Sequence, residues 1–375
     1  MTENCEVLVI GAGIAGASAA YELSETRRVT VLERESQPGY HTTGRSAAIY
    51  TQNYGNREIR LLTRAGLPFF DTFPREFAEH PILSPRGAMF IAREDQLSTL
   101  DAAYAEAQAL AAPVHRIDAG EAISINPSLD PDYVAAAIYE PDARDIDVHA
   151  LHSGYLKALR RRGGSVVSNA GVTSISFSAG VWTVSTTAGT FAAPVVINAA
   201  GAWCDEIAEL AGVRPIGLVP KRRTVFTFEP LQASDISSWP LTIDIDEMFY
   251  FKPDAGMILA SPADETPSSP CDAQPEEFDI ALAVDRVQTA TNLEVRRIAH
   301  KWAGLRSFVP DKTPVVGMDE ETEGFFWLAG QGGYGIQTAP AIGRAVAALV
   351  TTGSLPDDLI ELGLVEPDLS PQRLR

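Results

Sequence analysis

Cysteine is scarce and scattered. Cys5, Cys204 and Cys271 are an odd number of thiols with no close spacing, so neither a disulfide framework nor a thiolate metal knuckle is expected, and no metal ligand set is assigned. Basic residues are in deficit as well: 30 Lys and Arg against 49 Asp and Glu leave a formal net charge of −19. A surface built for nucleic acid needs a cationic excess, which excludes that class of partner. No apolar run approaches the ~18 residues of a membrane span, and no early segment joins a basic start to a long apolar core. The expectation is a cytoplasmic protein with no membrane span. Internal repeats and low-complexity tracts are missing too. What the chain does have is length and apolar content: 375 residues, 45% of them hydrophobic, exceed one usual domain and predict two lobes around large cores.

The most informative stretch is the opening one, residues 6–33, EVLVIGAGIAGASAAYELSETRRVTVLE. A short apolar strand runs into Gly11, Gly13 and Gly16 at G-x-G-x-x-G spacing. An Ala-rich helix, a second apolar strand and the acid Glu33 follow. In a dinucleotide site Gly11 allows the tight turn, Gly13 lets a pyrophosphate approach the backbone, and Gly16 lets helix and strand pack closely. The helix N-terminus offers N–H groups and partial positive charge to the phosphate. Glu33 suits the two hydroxyls of an adenosine ribose and disfavours a 2′-phosphate.

Further along, HTTGRSAA at 41–48 packs many donors into little space. It suits a phosphate or an isoalloxazine edge, and equally an ordinary polar loop. Residues 49–56 place Tyr50 and Tyr54 around a Gly-ended loop with the look of a lid. Helices are expected at 57–73 (amphipathic, interrupted by Pro68), 96–111, 118–125, 148–162 and 284–298. Arg160, Arg161 and Arg162 suit the C-terminus of the fourth of these. Residues 142–147 read as a charged loop. Three strand-like segments at 172–177, 181–185 and 190–192, separated by Gly180 and Gly189, form a meander unlike a plain NAD domain. The strand at 194–198 runs into small residues, Ala-Ala-Gly201-Ala-Trp203, which brings backbone close to a ligand. From Pro220 the alternation places Lys221, Arg223 and Val225 on one face and Arg222, Thr224 and Phe226 on the other, so Arg222 is read as structural. Residues 242–251 read as one strand, forming a hairpin with 257–260. Near the end an aromatic strand meets a Gly-rich turn and a long Ala-rich helix whose N-terminus faces whatever that turn surrounds.

Taken in order, GAGIAGASAA with VLERE, HTTGRSAA, NAAGAWCD, WAGLRSF and GQGGYGIQ resemble the D-amino acid oxidase family of FAD-dependent oxidoreductases over nearly the whole chain. Within that family the likeness points to the bacterial D-arginine dehydrogenase branch. The resemblance implies an α/β fold: a two-lobed flavoprotein with a Rossmann-like FAD-binding lobe and a substrate lobe built on a large antiparallel sheet. The FAD-binding lobe is expected to be discontinuous (residues 1–79, 145–222 and 302–375), with 80–144 and 223–301 as the substrate lobe. Carried over residue by residue, it implies that Gly11, Gly13, Gly16, Glu33 and Arg34 hold the adenosine and pyrophosphate. Thr43, Gly44, Arg45, Ser46 and Ala48 line the flavin, Val172 presents its backbone to the adenine, and Gly201 and Trp203 sit behind. Gly332, Gly333, Tyr334, Gly335, Ile336 and Gln337 pass over the pyrimidine end. For substrate it points to Tyr54, Arg223, Tyr250 and Arg306, two guanidinium groups and two phenols suited to a carboxylate.

The implied chemistry is oxidation of an α-amino acid to the imino acid by hydride transfer from Cα to flavin N5, with hydrolysis to a keto acid and ammonia. No general base is assigned. Departures from the branch touch the side-chain pocket. Ala88 stands where a glutamate receives a cationic side chain, and Ile49 replaces a histidine. With Ile243 and Met89 these describe a less polar pocket, to which Asp244 restores some negative charge. The expected substrate is therefore a D-amino acid with a neutral or apolar side chain, and the electron acceptor is oxygen or a quinone-like molecule. The alternatives are a sarcosine- or proline-type secondary amine oxidase on the same scaffold and, more remotely, a nucleotide-binding protein without catalysis.

Overall fold

The computed structural model describes residues 2–74, 77–110, 112–231 and 235–375. Apolar segments make its centre. The strands Val7–Ile10, Val29–Leu32 and Phe325–Ala329 are buried along their whole length, as strands covered on both faces are. They belong to a six-stranded sheet in the order Ser165–Val167, Val29–Leu32, Val7–Ile10, Val195–Asn198, Phe325–Ala329, Val315–Met318. Every pair is parallel except the last. Val7 and Val9 pack on one face with the helices Ile14–Leu23 and Gly335–Thr351. Leu8 and Ile10 pack on the other with the meander Val172–Ser178, Val181–Thr186 and Gly189–Ala193. Thr2–Asn4 joins that meander as a fourth strand. Since the sheet is parallel, the loops leaving Ile10, Leu32, Asn198 and Ala329 emerge along one edge and border a common crevice.

A nine-stranded sheet forms the other large layer. Its longest pairing joins Val219–Phe228 to Ile298–Phe308, antiparallel and with Lys221 opposite Arg306 and Arg223 opposite Gly304. One parallel pair interrupts the antiparallel order, Leu241–Asp244 beside Ala88–Ala92. Ile49–Tyr50, Arg144–Ile146 and Leu83–Pro85 form a small third sheet. Residues expected as the charged loop 142–147 thus contain a short strand.

Two expected elements differ in extent. Residues 242–251 form two antiparallel strands, Leu241–Asp244 and Tyr250–Asp254, rather than one. Asp244 makes the reversal: its carboxylate accepts from Asp246 N (3.1 Å) and its carbonyl from Glu247 N (2.8 Å), the local bonding by which Asp starts turns. The helix expected at 284–298 runs instead over Glu277–Ala290, with acids in its first turn where the dipole favours them. It stops at Thr291, and Ile298 already begins the next strand. Residue 111 of the helix expected at 96–111 lies outside the described residues, and the observed helix is Leu97–Ala109. Pro68 sits inside Arg57–Thr72 without ending it. Tyr50 is not part of a lid: it is 2% exposed and packs edge-on against Phe70. Among the described residues no helix is long and apolar enough to cross a membrane.

Candidate functional site

One cavity of about 590 Å³ follows the crevice at the strand ends and continues under the nine-stranded sheet, from Glu33 at one end to Arg223 at the other. At the first end Gly11 adopts φ +106°, and a Cβ there would lie 2.3 Å from the carbonyl oxygen of Ala199. Gly13 is the N-cap of the helix Ile14–Leu23, so that helix points its N-terminus into the cavity. Gly16 does not line the cavity. A Cβ on it would meet Gly11 O at 1.9 Å, which makes it the close-packing glycine of the turn. Glu33 is buried at the wall, accepting from Ala12 N (3.0 Å) and Glu35 N (2.9 Å). It pins the glycine turn and keeps a lone pair on each oxygen for a ligand. Arg34 lies 4.8 Å over the ring of Trp203, and Gly201 and Val172 also line the cavity.

In the middle, Thr43 Oγ1 accepts from Ile14 N at 3.0 Å, which places the Thr43–Arg45 turn across the helix N-terminus. Ser46, Ala48 and Ile49 continue the wall. Two residues of this segment act otherwise than expected. Gly44 stays out of the cavity, held by Gly44 N to Gly39 O (2.8 Å), and a Cβ there would stand 2.7 Å from that oxygen. Arg45 borders the cavity, but its guanidinium is spent elsewhere. It donates to the carbonyls of Ala273 and Ala303, both at 2.9 Å, and to Asp272, clamping this turn to the second sheet.

At the far end Tyr54, Arg223, Tyr250 and Arg306 come together. Strand register explains the arginines: Arg306 lies opposite Lys221, two residues from Arg223, so both project from one face as diagonal neighbours. Arg306 Nη2 donates to Tyr54 OH (3.0 Å), while Nη1 is buried without a partner. Arg223 Nε donates to Asp264 O (2.8 Å). Its Nη2 stands 3.5 Å from Glu265 and makes no hydrogen bond. Arg222, on the opposite face, pairs with Asp279 and Glu276 as a structural residue. Gly332, Gly333, Gly335, Ile336 and Gln337 close this end. Tyr334 does not line it: its ring turns away, 4.9 Å from Tyr54 and 6.4 Å from Phe308.

Three pocket expectations are corrected. Ala88 is fully buried in its strand between Glu140 and Leu241 and never reaches the cavity. Met89 packs in the core on the far side of the sheet with Phe226 and Phe251. Asp244 is also on the far side, 0% exposed and bonded by Gln96 Nε2 (3.2 Å) and Tyr133 OH (3.4 Å). Strand alternation sends Ile243 to the cavity and Asp244 away from it. The acid of this segment that does border the cavity is Glu247, exposed on the turn after Asp244 at φ +55°. Leu241, Thr51 and Ala263 are further wall residues that sequence reading missed. Recognising Asp244 as a turn former was the signal available for Glu247.

The chemistry of this cavity fits FAD. A glycine turn that any Cβ would fill meets a helix N-terminus at one end, a carboxylate with spare lone pairs stands beside it, and a second Gly-rich turn and helix start bound the other end. Among the described residues no group of His, Cys, Asp and Glu is placed to hold a metal ion.

Comparison with known proteins agrees. The chain is 28% identical over 362 residues to the uncharacterized oxidoreductase YurR of Bacillus subtilis, covering 92% of this chain and 94% of that one. It is 25% identical to the glycine oxidase of Geobacillus kaustophilus, covering 97% of each. Among solved structures, the L-proline dehydrogenase of P. horikoshii superposes with a TM-score of 0.84 at 22% identity, over 100% of this chain and 98% of that one. The model of the family DAO, FAD dependent oxidoreductase, matches residues 6–349, and the chain therefore belongs to that family of oxidoreductases, with FAD as its cofactor.

Proposed function

We propose that the chain oxidises an α-amino acid, a D-amino acid with a neutral or apolar side chain, to the imino acid, which water then hydrolyses to a keto acid and ammonia. The observation that carries this reading is the pair Arg223 and Arg306 at the end of the cavity, each with a buried guanidinium nitrogen that makes no hydrogen bond, Arg223 Nη2 having only Glu265 at 3.5 Å. A buried guanidinium donor left unpaired is costly, and a carboxylate satisfies two at once in a fixed plane. Tyr54 and Tyr250 frame that anion. Beyond it the wall is Ile49, Leu241 and Ile243, which accepts an apolar side chain. Bound FAD supplies the two-electron acceptor for the Cα–H bond. Gly11, Gly13, Glu33 and Arg34 hold its nucleotide end, with Gly16 behind the turn, and Thr43, Ser46, Ala48 and the 332–337 turn hold its ring end. On this reading residues 1–79, 145–222 and 302–375 make the cofactor lobe and 80–144 with 223–301 the substrate lobe.

The test is an anaerobic screen of amino acid enantiomers that follows loss of flavin absorbance. D-leucine or D-methionine is expected to bleach the enzyme faster than D-arginine, and the reverse order overturns the side-chain assignment. The likeness to an L-proline dehydrogenase supports a second reading, a secondary amine as substrate. N-methylglycine and proline in the same screen decide between the two, and peroxide formation in air distinguishes oxygen from a quinone-like acceptor.

A further inference from the structure

Glu140 is a buried carboxylate that the proposed chemistry does not use. It ends the strand Ala136–Glu140 of the nine-stranded sheet and is 1% exposed. Its side chain reaches across to the turn that follows Ile49–Tyr50. There Oε2 accepts from Thr51 Oγ1 at 2.5 Å and Oε1 from Gln52 N at 2.8 Å. Thr51 Oγ1 in turn accepts from Asn53 N (3.2 Å), and Thr51 N donates to Gln337 Oε1 (3.3 Å). Gln337 is fixed from behind by its own donation to Thr63 Oγ1 (3.0 Å). The next residue of the turn is Tyr54, whose hydroxyl receives Arg306 Nη2.

This arrangement is more than a satisfied polar group. Burying a carboxylate is expensive unless donors converge on it, and the donors here all come from one turn. Burial pushes the Glu140 pKa up, while the Thr51 hydroxyl and the Gln52 amide pull it back toward the charged form. Charge-assisted bonds are short and directional, so they hold the backbone at 51–53 in one conformation and thereby aim Tyr54. We infer that Glu140 is a positioning residue for substrate binding: by locking the 51–53 turn it sets the Tyr54 hydroxyl against Arg306, and so the geometry of the carboxylate anchor. The inference rests on the anchoring role proposed above for Tyr54 and Arg306.

The experiment is a double-mutant cycle on the FAD-loaded enzyme. The probe is acetate, a carboxylate with no amine to oxidise, titrated by its perturbation of flavin absorbance, with KM and kcat for the best amino acid measured in parallel. Glu140→Gln is expected to raise acetate Kd and KM about tenfold, the equivalent of about 1.4 kcal/mol, with kcat changed less than about twofold. Tyr54→Phe is expected to raise both as well, and the double variant to be no worse than the larger single effect. A purely structural Glu140 lowers Tm but leaves the two effects additive, which overturns the inference. If Glu140→Gln fails to fold, Glu140→Asp, which keeps the charge but withdraws the carboxylate from Thr51 and Gln52, takes its place in the same cycle. Should Tyr54→Phe leave acetate binding untouched, the anchoring reading itself fails and this inference falls with it. Should Tyr54→Phe loosen acetate while Glu140→Gln does not, only the inference falls.

Discussion

A single methyl group at Gly333 tests the arrangement of the anion-binding end most directly. A Cβ built there would lie 1.3 Å from Arg306 Nη2 and 2.0 Å from its Cζ, where ordinary contact begins at 3.4 Å. In Gly333→Ala the guanidinium must therefore retreat by roughly 2 Å, and the 3.0 Å bond to Tyr54 OH does not survive a displacement of that size. Gly333 does not occupy the positive-φ region, so alanine brings no backbone strain and the effect is confined to the arginine. Gly332, its neighbour, is a different case: it has φ +53°, and a Cβ would stand 2.3 Å from the Phe308 ring. Losing one charge-assisted bond and mispointing the donor that meets substrate costs about 1.5–3 kcal/mol, or roughly 10- to 150-fold in KM. The assay is steady-state kinetics with the fastest amino acid, beside flavin content and Tm. The expected result is a raised KM with flavin and Tm retained. A KM within about twofold of wild type would refute the reasoning. So would loss of flavin in place of a raised KM, which would put the methyl against the cofactor instead of Arg306.

Arg222 and Arg223 are adjacent and should separate cleanly. Arg222 bonds Asp279 at 2.8 Å, pairs with Glu276 and lies 3.7 Å from Asp264, so Arg222→Met strands buried acid and lowers stability by about 3–5 kcal/mol while leaving KM unchanged. Arg223→Met should do the opposite, raising KM with little change in Tm. Glu22 predicts a pH effect on stability. Burial pushes its pKa up to about 7, with Glu25 adding to the rise and Arg344 and Arg162 opposing it. A carboxyl whose folded pKa is raised contributes fully below its unfolded value and loses that contribution as pH climbs through about 7. Glu22→Gln should therefore match wild type near pH 4 and gain up to about 3 kcal/mol near pH 8.5, read as a difference in Tm. The proposed reaction also needs a neutral substrate amine, so kcat/KM should rise with pH, and a flat profile between about pH 6 and about pH 10 would count against it.

What could be read from the chain follows from how far apart the partners of each residue lie. Part of the glycine turn is local: Gly16 packs directly on Gly11, and the spacing already states that geometry. Arg223 was separable from Arg222 because a strand has a period of two, and the register with Ile298–Phe308 puts Arg306 on the same face. The same period was the missing step for Asp244 and Met89. Both were assigned to the cavity by their nearness in sequence to a pocket position, and both point to the far side of the sheet. Ignoring the turn chemistry of Asp244 also hid Glu247, since one continuous strand at 242–251 leaves no loop to present it.

Other roles have no local signature at all. Arg45 looked like a ligand donor in a polar loop, yet carbonyls at 273 and 303 take its guanidinium, and neither can be foreseen from the neighbourhood of residue 45. Glu140 is the extreme case: it is 89 residues from Thr51 in the chain, in a strand whose other residues are apolar, and only the packing of the small sheet against the large one brings them together. Chemistry carried by backbone turns and strand period is therefore legible in advance, whereas the residues that aim a functional side chain from a second element are visible only once the sheets are assembled. That is also why substitutions at Glu140 and Gly333 discriminate better than another change at Arg223 or Arg306: their effects follow from the three-dimensional arrangement, and no sequence motif would anticipate them.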